Sequence, residues 1–373
     1  MTLRVGVPTE VKNNEYRVAM TPDGVRELHQ HGVEVLVQSG AGRNSAIEDE
    51  DYVAAGAQIV ATAEETWARA ELVVKVKEPQ AEEFPFLRDD LVLFTYLHLA
   101  AYPAVADALL TAGTTGVAYE TVQNSDQSLP LLAPMSEVAG RMATQIGAHY
   151  LERENGGRGI LLGGAPGVAP ARVVVIGAGN VGWNSAWIAA GMEAEVLLLD
   201  KNLDRLRFVD QIHQGRIMTL ASNRGAIERA VATADLVIGA VLVPGGRAPT
   251  VVTEDMVRGM KDRSVIVDVA IDQGGCIETI RETSHEDPVY VEHGVVHYAV
   301  GNIPGAVPHT STYALTNATL PYLRDLAALG PAGAVERDPA LAHGFNTVGG
   351  HVTHAIVADA LGRPFTALDL SAA

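Results

Sequence analysis

The chain of 373 residues has a single cysteine, Cys276, so it can form no internal disulfide and no cysteine-rich metal site. That fits a reducing compartment. Long apolar runs are missing too. None approaches the roughly 18 residues that suggest a membrane span, and the opening MTLRVGVPTE has the pattern of a strand rather than the apolar core of a signal peptide. Positive charge is scarce: 27 lysines and arginines face 45 aspartates and glutamates, a formal charge of −18. This argues against nucleic acid and anionic membranes as partners. It does not exclude small anionic substrates, because a few local cations reverse the field inside a cleft. Repeats and low-complexity linkers are also lacking. What remains, 47% hydrophobic and 19% charged residues, is the composition of a globular, cytoplasmic protein long enough for two domains.

Strand and helix patterns alternate along the first 130 residues. Strands are expected at 3–8, 33–38, 71–77, 91–97 and 116–122, with a short apolar stretch at 58–60. Helices are expected near 22–31 (opened by Thr21-Pro22), 49–55, 63–69 and 103–112. Such alternation implies parallel βαβ units. The first strand-to-helix turn, PTEVKNNEYRVAMTP, holds no glycine and so lacks a phosphate cradle.

The second half differs. RVVVIGAGNVG (172–182) places Gly177, Gly179 and Gly182 in the G-x-G-x-x-G spacing after a buried strand and at a helix start, and the next strand, EVLLLD, closes on Asp200. The first glycine allows a tight turn, the second lets a pyrophosphate approach the backbone, and the third lets the helix pack on its strand. The phosphates then lie on the N–H groups at the positive end of the helix, and the acid meets the adenosine ribose. Helices are expected at 136–154, 202–212, 253–260, 307–330 and 350–362, and strands at 234–242, 264–270 and 296–300. The fold class expected is α/β: two Rossmann-like, doubly wound parallel-sheet domains joined by long helices. The substrate domain takes residues 1–130 plus 305–373 and is split in sequence, and the NAD-binding domain takes residues 131–304.

Candidate chemistry clusters where strands end, because open α/β sheets bind ligands at the carboxyl ends of their strands. Arg17 follows the first strand. Lys75 and Lys77 alternate with valines in VVKVKEP and share one face, and His98 closes the apolar LVLFTYLHLA. In the second domain Asp268 lies inside a strand, where a structural role is expected, and Asp272 in the glycine-bearing loop after it. Each alone has an ordinary structural explanation. Together an arginine fork, a lysine, a histidine and an aspartate beside a nicotinamide suit a small anionic substrate and proton transfer. Cys276 has no basic neighbour to make it reactive, and His351 with His354, at helical spacing, has no third ligand. No metal site is expected.

The stretches PTEVKNNEYRVAMTP, VVKVKEP, LFTYLHLA, LPLLAPMSEVAGR, VVVIGAGNVG, LVIGAVLVPG, VIVDVAIDQGG and TSTYALTNATLPY, in this order over nearly the whole chain, resemble the alanine dehydrogenase family. The resemblance implies reversible, NAD-dependent oxidative deamination of L-alanine to pyruvate and ammonium. It implies Arg17 and Lys77 as substrate-binding residues and His98 and Asp272 as the catalytic pair. For the cofactor it implies Ser136, Asn180, Asp200, Arg205, Ser222, Val241, Leu242, Val269, Ala270, Ile271, Asp272, Arg281, Val300, Gly301, Asn302 and Ile303 beside the motif glycines. It also implies a homohexamer. Lys201 and Arg205 leave room for a 2′-phosphate and so for some use of NADP. Two other readings are a transhydrogenase NAD-binding subunit, which shares the architecture, and a nucleotide-binding relative without catalysis.

Overall fold

A computed structural model describes residues 3–241 and 248–370. The chain divides into two compact units: residues 1–135 with 307–373, and residues 136–306. Both are α/β, each built on one mostly parallel sheet.

Unit 1 begins with β1 (Val5–Val7), α1 (Pro22–Gln30), β2 (Val35–Gln38), α2 (Asp49–Ala55), β3 (Gln58–Val60), α3 (Ala63–Arg69), β4 (Leu72–Val74), β5 (Val92–Thr95), α4 (Pro103–Ala112) and β6 (Thr115–Ala118). The capping signals act as their chemistry requires. Thr21 Oγ1 accepts the Gly24 N–H at 3.3 Å, and Pro22 stands at the start of α1, where its missing N–H costs nothing. The strands are short, buried runs of valine and leucine, as sheets covered on both faces demand.

The boundary between the units falls within α5 (Ala133–Tyr150). Unit 2 continues with β7 (Arg172–Ile176), α6 (Asn180–Gly191), β8 (Glu195–Asp200), α7 (Leu203–His213), β9 (Ile217–Ala221), α8 (Arg224–Thr233), β10 (Leu236–Gly239), α9 (Glu254–Arg258), β11 (Val265–Asp268), β12 (Val289–Glu292) and β13 (Val295–Tyr298). The chain then returns to unit 1 as α10 (Pro308–Arg337), β14 (Phe345–Val348), β15 (His351–Val352) and α11 (Ala355–Leu361).

The sheet of unit 1 runs β15-β14-β6-β5-β4-β1-β2-β3, with β14 and β15 antiparallel at one edge and the other strands parallel. That of unit 2 runs β12-β13-β11-β10-β7-β8-β9, with β12 alone antiparallel. In both, strand order reverses beside the first strand of the unit: between β1 and β4, and between β7 and β10. These are the topological switch points at which open α/β sheets hold ligands. The unit 2 sheet is covered on both faces. One apolar layer includes Val173, Ala186, Leu198 and Ile238, and the other includes Val174, Ile227, Val237 and Ile266.

Some expected elements differ. The segment 350–362 is not one helix: His351 and Val352 form β15, and His354 caps α11, its Nδ1 accepting the Val357 N–H at 3.4 Å. The two histidines therefore do not share a helix face. The expected strand 71–77 stops at Val74, and 116–122 stops at Ala118, where a helical turn, Tyr119–Thr121, takes over. The helix expected at 307–330 runs on to Arg337 across a break at Gly330, whose φ of 71° precedes Pro331. Strands β9, β12 and β14 and helix α8 were not expected.

Candidate functional site

The turn after β1 carries Arg17, the residues after β4 lead to Lys77, the residues after β5 to His98, and the turn after β6 to Glu120. Strands β1, β4, β5 and β6 are adjacent. Three of the expected residues, Arg17, Lys77 and His98, thus come from the carboxyl ends of neighbouring strands in unit 1.

Arg17 is 2% exposed and clamped by Glu15: Nε donates to Oε1 at 2.7 Å and Nη2 to Oε2 at 2.5 Å. Its Nη1 points at Met135 Sδ, 3.1 Å away. The next residue is pinned by α10, since the Val18 N–H donates to Thr312 Oγ1 at 3.1 Å and Ser45 Oγ bonds the same hydroxyl at 2.9 Å. That is the structural work of Thr312, buried in the TST stretch. Burial alone would raise the Glu15 carboxyl, but Arg17, through charge and hydrogen bonds, with help from Lys77, brings it down to about 2. A carboxyl lowered on folding stabilises the fold above its unfolded range and loses that stabilisation as pH falls from about 4.5 toward about 2, up to about 3 kcal/mol here. Glu15→Gln is therefore expected to be less stable than the wild type at pH 7 by urea denaturation, with the gap narrowing toward pH 3. A gap independent of pH would refute this.

The two lysines of VVKVKEP part company. Lys75 is buried between Glu83 Oε1 at 2.7 Å and Glu10 Oε2 at 3.2 Å. Lys77 is half-buried, and its charge acts on both Glu15 and Glu120. Glu10 fixes the strand exit that carries Lys77, accepting the Val76 N–H at 2.6 Å and the Lys77 N–H at 3.3 Å. His98 sits at φ 46°, in the left-handed region that few non-glycine residues enter. Its ring lies parallel to that of Tyr96, with centroids 5.6 Å apart, and Tyr96 Oη donates to the Leu131 carbonyl at 2.7 Å.

In unit 2 the expected cofactor residues again follow strand ends. Gly177, with φ 107°, turns away from β7 so tightly that a Cβ would stand 2.4 Å from the Ala240 carbonyl oxygen, with Val241 beside it at the end of β10. At Gly182 a Cβ would lie 1.7 Å from the Gly177 oxygen, so α6 can start this close to the turn only with glycine there. Gly179 is the contrast: a Cβ would meet nothing nearer than Arg205 Nη1 at 3.8 Å, leaving open space over the helix start at Asn180. A tight turn, a close helix and an open cradle are what a pyrophosphate needs.

Asp200 holds the same loop. Its Oδ2 accepts the Ala178 N–H at 2.6 Å and its Oδ1 the Asn202 N–H at 2.7 Å, with Arg205 Nη1 at 3.9 Å and the Ser222 N–H on its carbonyl. Val269, Ala270, Ile271 and Asp272 form a helical turn after β11, capped by buried Asp268, which accepts the N–H groups of Ala270, Cys276 and Ile277. Asp268 is thus a structural anchor. Asp272 is exposed. A Cβ on Gly301 would lie 3.4 Å from its Oδ1 and 2.7 Å from Glu282 Oε1, which brings the 300–303 stretch, Val300, Gly301, Asn302 and Ile303, beside Asp272. Arg281 stacks on Tyr290 at 3.9 Å, two residues before the bridge from Thr283 to Val300. Ser136 lies one helical turn before Gly140, which packs on Val181 so closely that a Cβ would sit 2.2 Å from that carbonyl. Leu242 lies outside the described residues.

Cys276 is buried against Asp268, and burial pushes its thiol well up, which leaves it inert. Sequence reasoning missed Glu15, Glu10, Glu120 and Met135. Glu15 stood two residues from Arg17 in KNNEYR, and Glu120 was hidden in what read as a continuous strand. No helix of the described residues is long and apolar enough to cross a membrane.

Residues 6–139 match the family described as "Alanine dehydrogenase/PNT, N-terminal domain" and residues 143–355 its C-terminal counterpart. An alanine dehydrogenase of Mycobacterium tuberculosis is 57% identical over 364 residues, 98% of each chain. A solved L-alanine dehydrogenase superimposes with a TM-score of 0.93 at 50% identity, covering 96% of this chain and 99% of the other. A transhydrogenase from Sinorhizobium meliloti matches at 0.80 and 26% identity, covering 94% and 99%.

Proposed function

This chain belongs to the alanine dehydrogenase/PNT family, and we infer that it catalyses the alanine dehydrogenase reaction, the reversible NAD-dependent oxidative deamination of L-alanine to pyruvate and ammonium. The observation that carries the reading is the convergence of Arg17, Lys77 and His98 on neighbouring strand ends of unit 1, in a chain 57% identical to an alanine dehydrogenase over 98% of its length. The residues of unit 2 suit a dinucleotide: the open cradle at Gly179 and the α6 N-terminus would hold its phosphates, and Asp200 its adenosine ribose. Bound there, NAD would supply the hydride acceptor for the substrate α-carbon.

The remaining chemistry falls to side chains. Arg17, its fork held in place by Glu15, binds the substrate carboxylate without having to order itself on binding. Lys77 polarises the carbonyl oxygen of pyruvate. In amination His98 donates the proton to that oxygen as ammonia adds, and Asp272 orients ammonia and the departing water. In deamination His98 takes the proton back and must start neutral, so that direction speeds up as pH rises through the histidine range. We further propose a cytoplasmic homohexamer, consistent with a chain of one cysteine.

The test is absorbance of NADH formed from NAD with a panel of amino acids, alanine giving the largest kcat/KM. No signal with alanine would overturn the function. Light scattering at six times the 39.3 kDa chain mass tests the hexamer.

A further inference from the structure

His98 is held in its left-handed conformation from both sides. Its carbonyl accepts the Ala101 and Tyr102 N–H groups at 2.8 and 3.1 Å, which starts the turn into α4. Its N–H donates to Glu120 Oε1 at 2.6 Å, and the preceding Leu97 N–H reaches Oε1 and Oε2 of the same carboxylate at 3.3 and 3.2 Å. Glu120 itself comes from the helical turn after β6, next to the strand that delivers His98. The same Oε1 stands 3.9 Å from His98 Nδ1, a charge-pair distance rather than a hydrogen bond.

We propose that Glu120 is the positioning residue of the histidine: one largely buried carboxylate fixes the strained peptide that aims the imidazole and sets its Nδ1 edge against negative charge. The inference rests on the alanine dehydrogenase role of His98. When His98 takes a proton in deamination, Glu120 stabilises the imidazolium from the Nδ1 side, as an acid behind a catalytic histidine does. Other charged and titratable groups around the pair are Tyr96 stacked on the ring, Lys77 and His354 acting on Glu120, and Arg17 acting on Tyr96. Burial raises the Glu120 carboxyl, and N–H bonds from its own backbone, His98 and Leu97, together with Lys77, offset only part of that rise.

Two variants separate aim from charge. Glu120→Gln keeps a carbonyl oxygen for the Leu97 and His98 N–H groups but removes the charge. Glu120→Ala removes both. In Glu120→Gln the rising limb of kcat/KM for deamination moves about one pH unit toward acid, with NADH affinity and the urea midpoint near wild type. In Glu120→Ala kcat falls by about 10- to 100-fold more than in the glutamine variant, again with NADH affinity kept. An unmoved limb in a folded Glu120→Gln enzyme overturns the proposal, as does an alanine variant that loses stability and turnover in proportion with its limb in place. His98→Ala, measured alongside, distinguishes the two levels. If it is inactive while Glu120→Gln is indistinguishable from wild type, only the role of Glu120 fails. If it keeps full activity, the role of His98 fails and takes this inference with it.

Discussion

His98→Ala is expected to lower turnover with alanine by about 10²–10⁴-fold, the range that a positioned general acid–base residue supplies. In free energy that is about 3–5 kcal/mol of transition-state stabilisation. NADH affinity should stay near wild type, because His98 belongs to unit 1 while the expected nucleotide residues belong to unit 2, Ser136 in α5 and the others after β7, β8, β9, β10, β11 and β13. The fold should survive as well. The His98 backbone is pinned through its N–H and C=O, neither of which the substitution touches, so alanine loses only the modest preference of histidine for a positive φ. Fluorescence titration with NADH beside steady-state kinetics makes the comparison. Equal losses in turnover and NADH binding would mean that His98 holds the structure together rather than moving a proton.

Much of this was legible from local pattern. RVVVIGAGNVG reads as strand, turn and helix because its three glycines have separate jobs in three dimensions: a positive φ at Gly177, open space at Gly179 and contact at Gly182. The α/β class and the grouping of Arg17, Lys77 and His98 at strand ends follow from alternation and from the rule for open sheets. What escaped depends on partners distant in sequence. Strand β14 forms by adding antiparallel to β6, more than two hundred residues earlier, and β15 by adding to β14, and no periodicity within HVTHAIVADALG records that edge. Strand β9 is short and mostly uncovered, with Met218, Leu220 and Ala221 exposed, so its apolar pattern does not mark a buried face. Glu120 looked like part of a strand because GVAYETV continues the β pattern past Ala118, where the chain in fact turns and places a carboxylate beside the neighbouring strand end.

Lys75 and Lys77 were equivalent in sequence, two residues apart on one face, and their substitutions are expected to fail in opposite ways. Lys75→Met removes the cation between Glu10 and Glu83, whose side chains are each 3% exposed. Two carboxylates then share a dry site without their counter-charge, a loss of about 3–5 kcal/mol. Glu10 keeps the Val76 and Lys77 N–H groups, and Glu83 Oε2 keeps the Gln80 N–H at 2.9 Å. These bonds soften the loss without replacing the charge, and a lower urea midpoint with an unchanged slope should report it. Lys77→Met takes a half-buried cation from Glu15 and Glu120, but Glu15 keeps the Arg17 fork and Glu120 keeps the Leu97 and His98 N–H groups, so the loss should stay below about 1 kcal/mol. It should instead lose about 10- to 100-fold in kcat/KM for alanine and for pyruvate, the worth of a charged hydrogen bond to substrate. The reverse pattern, a stable Lys75→Met and an unfolded Lys77→Met, would show that the substrate lysine is the one closed off behind Glu10 and Glu83.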